Sequence, residues 1–100
     1  MIILRCMLVS MCLLIAAVAV AANPLLPITT AQQDAETMAR TGLLKHCGRN
    51  AIGSLEGIGT GATREQAIRN CCYYGQRKPM EIGVAYSVRV GKYFAVIRYK

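Results

Sequence analysis

The chain has 100 residues, 54% of them hydrophobic, no Trp, and a formal net charge of +7. Residues 1–22 hold much of the apolar excess and a single charge, Arg5, so the remainder of the chain is long enough for one small domain and too short for a two-domain enzyme. From Asn23 onward eleven Lys and Arg face five Asp and Glu, a field that attracts anions of any kind and says nothing about fold.

In chain order, Met1–Arg5 is a short basic leader, Cys6–Val20 is an apolar run, and Val20-Ala21-Ala22 places small or medium residues ahead of a cleavage point. This pattern predicts a secretory signal peptide over residues 1–22 and a secreted or periplasmic product. A bilayer span needs about 20 apolar residues. No second run of that kind occurs later in the chain, so no stable transmembrane anchor is expected.

Asn23–Ile28, with Pro24 and Pro27, reads as an extended lead-in. Thr30, with Gln33 three residues on, has the form of a capping box, and Ala31, Ala35, Met38 and Ala39 recur at helical spacing until Gly42 supplies a stop. His46 and Cys47 lie just beyond, followed by a polar loop over Gly48–Ser54. Leu55–Gly59 has the shape of a short strand whose glycines admit another backbone, and Gly59-Thr60-Gly61 reads as a turn. Thr63 and Gln66 repeat the capping spacing ahead of a second helix, with Ala67, Ile68, Cys71 and Cys72 on one face and Gly75 as its end. After a basic loop at Gln76–Met80, Ile82, Val84, Tyr86, Val88 and Val90 alternate with smaller or polar residues, which predicts a strand. Gly91-Lys92 forms a two-residue turn, and Tyr93–Tyr99 returns as the second strand of a hairpin. The order predicts an α+β domain of two layers, with two helices packed on a small antiparallel sheet that ends in a β-hairpin.

Removal of the leader leaves Cys47, Cys71 and Cys72. In an oxidising compartment one bridge from Cys47 to Cys71 or Cys72 is expected, closing a loop of about 25 residues and adding roughly 3 kcal/mol in the chain-entropy model. A bond between neighbouring Cys71 and Cys72 would need a strained peptide. These thiols with His46 lack the paired spacing of a zinc site. The only nucleophilic option is a Cys–His pair, and no Asn or Asp is placed to orient the imidazole, so an enzyme is not expected. Gly57-x-Gly59-x-Gly61 superficially fits a phosphate loop, but the Lys-Ser/Thr pair is absent and turn geometry explains the glycines. An exported chain does not meet RNA, so nucleic acid is not an expected partner.

Ala31–Gly42, then His46, then Glu56-Gly57-Ile58-Gly59, then Thr63–Asn70, and finally Glu81-Ile82-Gly83-Val84-Ala85 ahead of the last strand form a collinear series. The series resembles CAP-superfamily domains, the cysteine-rich secretory, antigen 5 and pathogenesis-related 1 proteins, over about 70 residues. The resemblance implies a cleft lined by two His and two acidic residues that can hold a divalent metal. His46 matches the first His, and Glu56 matches the Glu of the family's Gly-Glu-Asn element. Gly57 stands where Asn is usual, Gln76 stands where the second His belongs, and the second acidic residue has no counterpart. A neutral amide binds zinc weakly, so His46 and Glu56 are vestigial ligand candidates and no cofactor is expected. Family domains are also nearly twice this length.

The resulting expectation is an exported, small, basic interaction module. Arg77, Lys78, Arg89, Lys92 and Arg98, among the tyrosines, form the candidate face for an anionic envelope component or an extracytoplasmic protein. The competing class is a secreted metal-dependent or hydrolase-like protein that uses His46 and Glu56.

Overall fold

Thr30 opens the first helix in the computed structural model, which describes residues 26–100. The expected signal peptide and the start of the lead-in lie outside the described residues. The Thr30 hydroxyl accepts from Gln33 N at 3.0 Å, and the Gln33 amide oxygen accepts from Thr30 N at 2.9 Å, closing the capping box. Helix α1 then runs Ala31–Thr41, and Gly42 ends it in the left-handed conformation at φ 74, its N–H donating to Met38 O at 2.7 Å. Strand β1 is Leu55–Gly61, helix α2 is Arg64–Arg69, and strands β2 and β3 are Pro79–Ser87 and Lys92–Tyr99.

The chain is α+β, with two helices on a three-stranded antiparallel sheet of order β1-β3-β2. The C-terminal strand is therefore the middle one. Its even positions, Phe94 and Val96, pack with Ile58 against Ala31, Ala35, Met38 and Ala39 of α1. Its odd positions, Ala95, Ile97 and Tyr99, pack against Ala67, Cys71, Cys72 and Tyr73. The helices thus cover opposite faces, and the domain has three layers rather than the two expected. The cause lies in β3, which is apolar on both sides and can leave neither to water.

β1 extends through Gly61, so Gly59-Thr60-Gly61 is strand and not the expected turn. The three glycines alternate onto one face, and that face is where α2 sits. A Cβ on Gly59 would stand 2.6 Å from Ala67 O, and one on Gly61 would stand 2.6 Å from Ala67 N. A Cβ on Gly57 would collide with the Cys72 carbonyl. The Gly-x-Gly-x-Gly run is a bare strip of backbone on which a helix rests, as the close-approach reading of Gly57 and Gly59 implied.

β2 stops at Ser87, three residues earlier than alternation suggested. Gly91, at φ 70, donates to Ser87 O at 2.8 Å and closes a four-residue turn over residues 88–91. The Ser87 hydroxyl is buried, donating to Ala39 O at 2.6 Å and accepting from Val90 N at 3.3 Å, which fixes the turn to the end of α1.

Both outer strands have an edge that could recruit another chain. On β2, Val84 N donates to the Gln32 side-chain oxygen at 3.0 Å, and Val84 O accepts from Gln32 Nε2 at 2.9 Å, so an amide from α1 imitates a neighbouring strand. On β1, Thr60 O accepts from Asn70 Nδ2 at 2.8 Å. Gln32→Leu removes both partners of Val84. It is expected to cost about 1–2 kcal/mol in urea denaturation and to add a concentration-dependent associated species in sedimentation velocity. A variant that stays monomeric at every concentration would show that Gln32 does not guard the edge.

Candidate functional site

The register of β3 sets Arg98 opposite Glu56 on β1 and opposite Glu81 on β2, all on the α1 face of the sheet. Arg98 is 1% exposed, and a buried guanidinium is tolerated only when its donors are satisfied by charged or strong acceptors. Arg98 Nε donates to Glu56 Oε2 at 3.0 Å, and Nη2 donates to Asp34 Oδ2 at 2.7 Å. Nη2 also reaches the Thr29 hydroxyl at 3.1 Å, while Nη1 donates to Thr29 O and lies 3.4 Å from Glu81 Oε1. Thr29 in turn donates its hydroxyl to Asp34 Oδ1 at 2.6 Å, and Glu81 Oε2 accepts from Ala31 N at 3.0 Å. One side chain thereby ties the lead-in, α1 and both outer strands to the central strand.

His46 joins this cluster from the loop after α1. Its Nδ1 lies 2.7 Å from Glu56 Oε1, with both side chains buried. A carboxylate oxygen accepts, so in this contact the imidazole Nδ1–H is the donor to Glu56 Oε1. Arg49, in the same loop, donates Nε to Leu26 O at 3.0 Å.

The chemistry open to this arrangement is set by the groups already engaged. Both oxygens of Glu56 and both of Asp34 are bound by Arg98, His46 or Thr29. A divalent ion would have to displace the guanidinium, whose charge already sits among the carboxylates, so this donor set does not fit a metal. Among the described residues, no group of three or more His, Cys, Asp or Glu side chains is arranged as a metal site. Cys47, next to His46, is a poor nucleophile because burial, followed by the nearby Asp34 charge, pushes its thiol pKa up.

Asp34 was legible in the sequence only as one of two acids in a helix. In the fold its carboxyl pKa is raised by burial, against the lowering effect of the Thr29 hydrogen bond. A raised folded-state pKa means that the group's contribution to stability is fullest in acid and is lost as pH rises through the folded value. Asp34→Asn should therefore cost most near pH 3.5, with the difference in melting temperature from the parent narrowing toward pH 7. A gap that widens with pH would show that attraction to Arg98 outweighs burial.

The expected basic face is not one surface. Arg98 is internal, held there by its carboxylate partners. Arg77 and Lys78 precede β2, whereas Arg89 and Lys92 lie beyond its other end, and nine residues of strand separate them by roughly 30 Å. The tyrosines divide as well. Tyr73 and Tyr99 meet edge-to-face at 5.9 Å inside the α2 layer, while Tyr86 and Tyr93 meet at 5.0 Å near the hairpin turn. The expected bridge from Cys47 to Cys71 or Cys72 is not formed. Cys47 packs with the α1 layer and the other two with the α2 layer, so the sheet lies between them. Neither a family model, a curated protein nor a solved structure matches the chain.

Proposed function

We propose that the chain is an exported binding module for an anionic component of the cell envelope, resembling a shortened CAP-type domain. The observation that supports this reading is the sorting of charge by the fold. Of the five acidic side chains, Asp34, Glu56 and Glu81 are drawn to Arg98. That leaves Glu36 and Glu65 to face the ten other Lys and Arg of residues 26–100. The outer surface is therefore more basic than the formula charge, and such a field concentrates polyanions.

Calorimetric titration with dextran sulfate as the probe, and neutral dextran as its control, tests the reading. Saturable binding to the sulfated polymer that weakens with added salt is expected. No binding at low ionic strength, or equal binding to neutral dextran, would sink it.

The competing reading, a hydrolase-like or metal-dependent protein, is disfavoured because both oxygens of Glu56 are already engaged by His46 and Arg98. Micromolar zinc binding that disappears in His46→Ala would favour it over the first.

A further inference from the structure

The turn joining β2 to β3 places apolar side chains in water where the fold does not need them. Val88 is 90% exposed and Val90 42%, and beside them Tyr86, in β2 and packed on Tyr93, is 52% exposed. Turns favour Gly, Asn, Asp and Ser, and a β-branched residue gains nothing there structurally. The end of α1 lies against the same turn. A Cβ on Gly42 would stand 3.1 Å from Val90 Cγ1 and 3.2 Å from Arg89 Cδ, and the next residue, Leu43, is 55% exposed. Cations surround these side chains. Arg40, Arg89, Val88 and Tyr86 line a groove of about 500 Å³ whose floor includes Ala39 and Ala85. Lys92 comes just after the turn, and Glu36 is the one acidic residue in the groove lining.

A soluble polyanion would be held by the cations alone and would leave Val88, Val90 and Leu43 in water. An anionic bilayer takes both parts, because its headgroup layer binds Lys and Arg while the boundary beneath it accepts apolar side chains. We propose that this turn is a membrane-contacting tip. Val88, Val90 and Leu43 enter the headgroup boundary of an anionic phospholipid bilayer, and Arg40, Arg89 and Lys92 pair with its phosphates. The proposal rests on the anionic-envelope reading and names its ligand. Contact is peripheral, and among the described residues no helix is long and apolar enough to cross a membrane.

The chain contains no Trp, so Val88→Trp introduces a single indole that reports the polarity at the tip alone. With vesicles of phosphatidylglycerol and phosphatidylcholine, its emission should shift to the blue and be quenched by brominated acyl chains. Pure phosphatidylcholine and dextran sulfate should leave it unshifted. Independently of that reporter, removing two surface cations by Arg89→Gln with Lys92→Gln should weaken partitioning onto the anionic vesicles about 30-fold. Arg77→Gln with Lys78→Gln, at the far end of β2, should weaken it far less. Protein bound to anionic vesicles with its indole still in water would overturn the tip and leave the anionic module standing. So would binding to dextran sulfate with none to the vesicles. Binding to neither would overturn both.

Discussion

Arg98→Met should leave the chain largely unfolded at neutral pH, as read by far-UV circular dichroism and by loss of a cooperative urea transition. The substitution keeps most of the side-chain volume and removes the charge that Asp34, Glu56 and Glu81 share. Breaking a buried pair costs about 3–5 kcal/mol because the partner charge is stranded, and here three carboxylates lose their common cation. A domain of this size has only about 4–11 kcal/mol in total. Arg98→Lys should recover little, since a single ammonium cannot reach Glu56, Asp34 and Thr29 as a planar fork does. Neutralising two acids alongside, as Arg98→Met with Asp34→Asn and Glu56→Gln, should restore a cooperative transition. A single Arg98→Met variant with an unchanged urea midpoint would mean that the cluster does not hold the sheet together.

Gly59→Val should be the most damaging change on the opposite face, at about 3 kcal/mol. The new side chain would meet Ala67 O at 2.6 Å and the Asn70 and Cys71 backbones at 2.7 Å, none of which can rotate away as a side chain can. α2 must lift off β1, opening the layer that contains Ala67, Cys71 and Ile97. Gly53→Ala separates this packing effect from a purely conformational one, because a Cβ there meets no atom within 4 Å although φ is +68. It should cost only about 1 kcal/mol. Equal urea midpoints for the two variants would remove the case that the glycine strip is a seat for the helix.

Local chemistry made much of the fold readable in advance. Thr30, Gln33 and Gly42 mark both ends of α1 by groups that only a helix terminus leaves unsatisfied, and the alternation after Glu81 marks a strand whatever its neighbours. What sequence order could not reveal was which strand lies in the middle. With β3 at an edge, Arg98 would have a route to solvent and would read as a surface cation. In the centre it must be neutralised from both sides, and its register partners Glu56 and Glu81 do so. One clue was available, since Arg98 shares a face with Phe94 and Val96 while Ala95, Ile97 and Tyr99 make the other face equally apolar. The disulfide expectation failed for the same reason. Cys47 and Cys71 are separated by the sheet, a fact about layers that spacing along the chain does not encode. His46 and Glu56 stood together in the sequence only as ligand candidates, and nothing there marked the guanidinium that occupies the space between the acids.

The position of β3 also sets when the domain can assemble. β1 and β2 pair with β3 and not with each other, so during synthesis neither has a strand to join until Tyr99 has been made. Helix α1 can form early through its own caps, yet the surface it covers is the last part of the domain to emerge from the ribosome. A premature stop at the codon for Lys92 or Tyr93, where β3 begins, therefore removes the axis of the molecule rather than its periphery.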